Sequence, residues 1–116
     1  MSISYEGIGE WCATFVCGAV SEGDIVKVSA NGTVGKCAAG DGFCGVVAAM
    51  GRDGKACSVQ LGGIATVNYS GENAPIPGYG KLSADAAGGV SVDASKGREY
   101  LILAADSAAK TVTIKL

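Results

Sequence analysis

The chain is broken into short pieces. Its apolar runs are four to eight residues long, and 19 glycines are spread through 116 residues to separate them. Runs of that length are too short for most helices and suit strands joined by tight turns. The pattern predicts an all-β fold: a small β-barrel or β-sandwich of roughly eight to ten short strands with one long proline-containing loop. About one domain is expected, able to bury roughly 65% of the surface its unfolded form exposes. Hydrophobic residues make up 48% but aromatics only 6%, so the core must be built from Val, Ile, Leu, Ala and Cys. A core so thin in aromatics is expected to gain from association with copies of itself or with a partner.

Residues 10–17 are rich in strand formers. Alternation places Trp11, Ala13, Phe15 and Cys17 on one face and Cys12, Thr14 and Val16 on the other. Residues 24–29 form the next strand, with Val26 and Val28 pointing inward. Asn31-Gly32 supplies left-handed conformations for a hairpin back through residues 33–37. Residues 43–50 are almost continuously apolar, as expected of a strand buried on both faces or, as the alternative, of a short buried helix. Residues 52–55 form a polar hairpin tip. Strands follow over 56–61 and 64–69, joined by a bulge or corner at Gly62-Gly63. Residues 70–80 contain Pro75 and Pro77, which disfavour central-strand pairing, and form the long surface loop. Four further strands fall near 81–84, 89–92, 99–105 and 110–116, the last with Val112, Ile114 and Leu116 on its buried side. No exact sequence repeat is visible.

Several kinds of chemistry are disfavoured. With no histidine, the Ser-His-Asp and Cys-His arrangements are absent. The five cysteines at 12, 17, 37, 44 and 57 include no Cys-x-x-Cys pair. Their odd number and irregular spacing suit buried free thiols better than a disulfide framework or a zinc site. The six aspartates fall in or beside turns, where a carboxylate caps backbone amides. No phosphate-cradling loop is present, and no lysine occupies the hairpin position of a lipoyl or biotinyl carrier, so no cofactor is expected. The net charge is −2 and the nine basic residues are scattered, which argues against a nucleic-acid surface. No apolar stretch is long enough to span a membrane, and the first residues lack the pattern of a secretion signal, so cytoplasmic synthesis with free thiols is expected.

What remains is contact. Tyr5, Trp11 and Tyr79 admit two readings. In one, Trp11 is core and the tyrosines are half-buried. In the other, Ile3, Tyr5 and Trp11 join Pro75, Ile76, Pro77 and Tyr79 in a protein–protein interface, because aromatics give contact area at low entropic cost.

A set of ordered motifs sharpens this. Glu22-Gly-Asp-Ile-Val-Lys-Val28, Gly45-Val-Val47, Gly62-Gly-Ile-Ala-Thr-Val67, the glycine- and alanine-rich run from Gly80 to Val90, and the ending from Tyr100 to Leu116 resemble tailed-bacteriophage head decoration proteins, also called capsid cement proteins. The resemblance runs from about Glu22 onward. It implies a virion protein, made in the host cytoplasm and bound to the outer surface of an icosahedral head. Its partner would be the phage major capsid protein, and it would form a homo-oligomer, commonly a trimer. It also implies a decoration domain over 21–116, with residues 1–20 as a capsid- or neighbour-contacting arm that continues into the first strand. The alternative is a receptor- or glycan-binding β module displayed on a virion or tail. An enzyme is the least favoured class.

Overall fold

In a computed structural model, which describes residues 11–116, the chain forms ten strands and no helix among those residues. β1 (Trp11–Cys17), β2 (Ile25–Ala30), β3 (Thr33–Lys36), β4 (Gly45–Met50) and β5 (Ala56–Gly62) make a closed barrel in the order β1-β3-β2-β4-β5. β6 (Ile64–Asn68), β7 (Gly78–Ala84), β8 (Val90–Val92), β9 (Arg98–Asp106) and β10 (Thr111–Lys115) make a second sheet in the order β6-β10-β9-β7-β8. The corner between the two is Gly63, whose φ of +87° suits a residue without a Cβ. The all-β expectation therefore holds, with one closed barrel beside a second sheet.

The two halves share one wiring diagram. β1 pairs in parallel with β3 and antiparallel with β5. Its counterpart β6 pairs antiparallel with β10, and its extension at Tyr69 bridges Val90 of β8 in parallel. The antiparallel pairs β2–β3, β2–β4 and β4–β5 recur as β7–β8, β7–β9 and β9–β10. Even the bulges agree: the β4–β5 register shifts between Val47 and Ala49, and the β9–β10 register shifts between Ile102 and Ala104. Backbone bonds outside the ladders repeat as well. The Cys17 amide donates to the Lys55 carbonyl at 3.0 Å and the Tyr69 amide to the Lys110 carbonyl at 3.0 Å. One register differs: Ile25 faces Val46, but in the second half the matching residues slide by two, so that Leu101 faces Tyr79 rather than Lys81.

Matching positions are buried in both halves. Val26, Val34, Val47, Cys57 and Val59 fill the barrel; Leu82, Val90, Ile102, Val112 and Ile114 take the same places against the second sheet. The first core is built from Val and Cys, the second from larger side chains. Ile25, Val46, Cys37 and Phe43 belong to the first half by sequence but pack into the second core, which joins the halves. Phe43 stacks on Tyr100 with ring centroids 4.9 Å apart.

All six aspartates cap turns. Asp24 accepts from the Ser21 amide, Asp41 from Ala38, Asp53 from Lys55, Asp85 from Ala87 and Gly89, Asp93 from Ser95 and Lys96, and Asp106 from Ala108 and Ala109. Val112 and Ile114 are buried as expected, with Leu116 packed against the same core.

Several expectations are corrected. Residues 43–50 are not a strand buried on both faces: the strand starts at Gly45, Phe43 belongs to the preceding loop, and Ala48 and Ala49 are exposed. Val28 does not point into the core; the register shift beside it, between Val28 and Ala30, coincides with a side chain 57% exposed. Of Asn31-Gly32 only Gly32 is left-handed, at φ +61°, so with the register shift the hairpin is a bulged turn rather than a two-residue type I′ turn. The long loop ends at Pro77, because Gly78, Tyr79 and Gly80 pair with β9. The absence of a sequence repeat does not extend to the fold.

Candidate functional site

The connection from β6 to β7 builds the candidate site. Between Tyr69 and Leu82 lie twelve residues, whereas between the matching Cys17 and Val26 lie eight. The second half thus carries a four-residue insertion relative to the first. In this longer connection two prolines preset the backbone and remove amide donors, which keeps it out of the sheet and folds it over the mouth of the second core. The result is a surface hollow of about 580 Å³. Leu82 and Ile102, both core residues, form its floor; the loop from Glu72 to Pro77 forms one wall; Tyr79, Lys81 and Val92 complete the rim.

Four of the residues singled out from the sequence meet here. Pro75 is buried and anchors the loop, while Ile76 is 77% exposed and Tyr79 74% exposed. Pro77 is exposed beside them. Tyr79 is thus not half-buried. It sits in β7, opposite Leu101, with its ring outside the core because strand alternation turns Leu82 inward and Tyr79 outward.

Trp11 is elsewhere. It is 68% exposed at the start of β1 and lies over Gly62, where a Cβ would stand 3.3 Å from the indole ring. Trp11 is therefore not a core residue, and it is not part of the hollow. The alternation that put it with Phe15 and Cys17 is correct, but the strand has already left the barrel core at that end. Ile3 and Tyr5 lie outside the described residues.

Val92 went unnoticed in the sequence. It is 40% exposed and joins the apolar rim of the hollow. A valine-polar-valine word gives no warning of this, since Val90 in the same word is fully buried.

Several titratable groups are occupied structurally. The Asp93 carboxyl is held down at about 2 by the Lys96 amide, the Ser83 hydroxyl and the Ser95 groups that donate to it. Burial pushes the Cys37 and Cys57 thiols up to about 11, which suppresses thiolate formation at neutral pH. Hydrogen bonding to Lys27 lowers the Asp41 carboxyl, and the same contact raises the Lys27 ammonium. Among the described residues no three His, Cys, Asp or Glu side chains converge to hold a metal ion. The hollow therefore offers apolar area and shape, rimmed by Glu72 and Lys81, and chemically it is suited to binding.

No protein-family model matches this chain, and neither a curated protein nor a solved structure does.

Proposed function

We propose that this protein is a structural subunit of a tailed-phage virion that binds the outer surface of the expanded icosahedral head and stabilises it through protein–protein contacts. The observation that carries the reading is the exposed apolar cluster of Ile76, Tyr79 and Val92 around a hollow that reaches core residues. Large apolar side chains fixed on a rigid sheet and a proline-stiffened loop are suited to docking, because little side-chain or loop entropy is lost on contact. The ordered motifs of the sequence supply the identity of the surface: a shell of major capsid protein.

The mechanism is mass action. A subunit that binds the expanded shell and not its precursor stabilises the expanded form by its binding free energy at every site. Burying apolar surface at roughly 25 cal/mol per Å² makes a few hundred Å² per subunit sufficient when the sites are many. Residues 1–20 contribute the neighbour-contacting arm, of which Trp11–Cys17 is already a barrel strand. A homotrimer is the expected assembly on the head. Neither nucleic acid nor membrane enters this role.

The test is co-sedimentation of the purified protein with expanded and unexpanded heads of the encoding phage. Saturable binding to expanded heads, raised resistance of those heads to heat or chelator, and no binding to precursors are expected. Failure to bind either shell overturns the reading. A glycan array with reproducible hits that vanish in Tyr79→Ala would instead establish the receptor-binding alternative, in which the exposed Tyr79 ring serves as a platform for a sugar.

A further inference from the structure

The longer connection also prolongs β7. β2 begins at Ile25, the counterpart of Lys81, whereas β7 begins three residues earlier, at Gly78. β8 does not follow it. That strand ends at Val92, opposite Leu82, and the Asp93 amide donates to the Lys81 carbonyl at 3.1 Å before the chain turns away. Gly78, Tyr79 and Gly80 therefore pair with β9 alone, and their other side is an open strand edge.

Backbone groups alternate in direction along an antiparallel strand. The Lys81 carbonyl faces the β8 side, so the Tyr79 amide and carbonyl face it too, and neither has a hydrogen-bond partner among the described residues. The opposite end of β7 shows such a vacancy filled. β9 begins opposite Leu82, and beyond it the Ala84 amide donates to the Asp41 carbonyl and the Ala84 carbonyl accepts from the Gly40 amide, both at 2.9 Å. A passing stretch of chain takes the strand's place there, and Ala84 is 1% exposed. At Tyr79 the place is open, and the hollow of about 580 Å³ lies along it. Its inner side is bare because Gly78 and Gly80 carry no side chains, which leaves Leu82 and Ile102, the partner of Gly78, as the floor.

We infer that this edge takes an extended segment of the shell protein, which adds to β7 as a short strand and fills the hollow. Tyr79 offers it one backbone donor and one acceptor, and main-chain pairing of this kind supplies affinity while alternate side chains supply specificity. The segment's residues opposite Gly78 and Gly80 point inward, as Leu82 does, so they are apolar. The residue between them points outward beside Tyr79 and Lys81. It is acidic, because the Lys81 ammonium makes no ion pair among the described residues, even with Glu99 opposite it on β9. The inference rests on the head-binding reading for the source of the segment and not for the chemistry of the edge.

A random twelve-residue peptide library selected on the full chain tests it, followed by amide hydrogen exchange with a selected peptide bound. Selected peptides are expected to carry two apolar residues separated by one acidic residue. Bound peptide should slow exchange of the Tyr79 amide by about tenfold or more, that amide being open in the free protein. Tyr79→Pro removes the outward amide and leaves the β9 ladder intact, which edge positions tolerate. It should weaken peptide binding by about tenfold, whereas Tyr79→Phe should bind like the wild type. Thermal unfolding checks the fold of both variants; if the proline variant does not fold, exchange in the wild type decides. A library that yields no such peptide overturns the inference. So do peptides that bind while the Tyr79 amide exchanges freely, which would assign the hollow to a side chain or small ligand. Protection that grows with protein concentration alone would assign the edge to a second copy and also overturns it. Expanded heads that bind Tyr79→Pro as tightly as the wild type overturn it and leave the head-binding reading standing. Peptides that pair with Tyr79 on a protein that binds no head sink that reading and leave the edge as a site for another protein's strand.

Discussion

Phe43 and Tyr100 lie face to face, 4.9 Å between centroids and 8° between planes, and the Tyr100 hydroxyl donates to the Phe43 carbonyl at 3.2 Å. One ring comes from the loop before β4 and the other from β9, so this pair helps tie the two halves together. Burial raises the Tyr100 phenol, which keeps it protonated as a donor well beyond neutral pH. Phe43→Ala leaves a cavity in the joint and should cost about 3–5 kcal/mol. Tyr100→Phe keeps the stack and loses only the hydroxyl bond, at about 1 kcal/mol. Urea denaturation of both variants checks the ratio; equal costs would mean that the ring stack contributes little.

Glycine is required for space at some positions and is incidental at others. A Cβ on Gly45 would stand 2.2 Å from the Gln60 carbonyl oxygen, and one on Gly97 would stand 2.4 Å from the Asp93 carbonyl oxygen. Both clashes are with backbone, which cannot swing aside. Gly45→Ala and Gly97→Ala should each destabilise by about 1–3 kcal/mol or more. At Gly42 a Cβ would meet nothing within 4 Å, and Gly42→Ala should stay within about 0.5 kcal/mol of the wild type. Thermal unfolding of the three variants distinguishes them.

Acid should loosen the β8–β9 turn. The Asp93 carboxyl titrates at about 2 in the folded chain, below its ordinary 3.8, chiefly because the Lys96 amide and the Ser83 hydroxyl donate to it. A depressed folded value means stability that is present above about pH 4 and lost as the pH falls through about 2. Asp93→Asn should flatten the acid limb of the stability curve in that window. An unchanged slope between pH 4 and 2 would rule this out.

The thiols should separate into accessible and protected sets. Cys12 is exposed, Cys44 is intermediate, and Cys17, Cys37 and Cys57 are buried. A thiol reagent at neutral pH should label Cys12 quickly and Cys44 more slowly. The other three should react only in denaturant, where burial no longer holds the Cys37 and Cys57 thiols up. Mass spectrometry of the labelled peptides reads the order.

Much of the fold was legible in the residues because it is local. Strand alternation from Thr111 to Lys115, the turn aspartates, and the corner at Gly62-Gly63 all follow from neighbours close in sequence. The candidate surface was half legible. Pro75, Ile76 and Pro77 announced a stiff apolar loop, and Tyr79 an aromatic, but nothing local distinguished the rim valine Val92 from the core valine Val90.

The duplication was hidden for a different reason. Cys17 matches Tyr69, Val26 matches Leu82, and Cys57 matches Val112, so equivalent positions share apolar character and little else. Hydrophobic burial rewards apolar area and asks for no particular side chain, so two halves can diverge while their hydrogen-bonded ladders stay the same. The sequence alone therefore determined the class of fold, the turns and the alternation of faces. Only the tertiary structure decided which faces are covered. Ala84 is sealed and Val28 is open although their strands are wired alike, because exposure depends on what packs against a residue, and that partner comes from far along the chain.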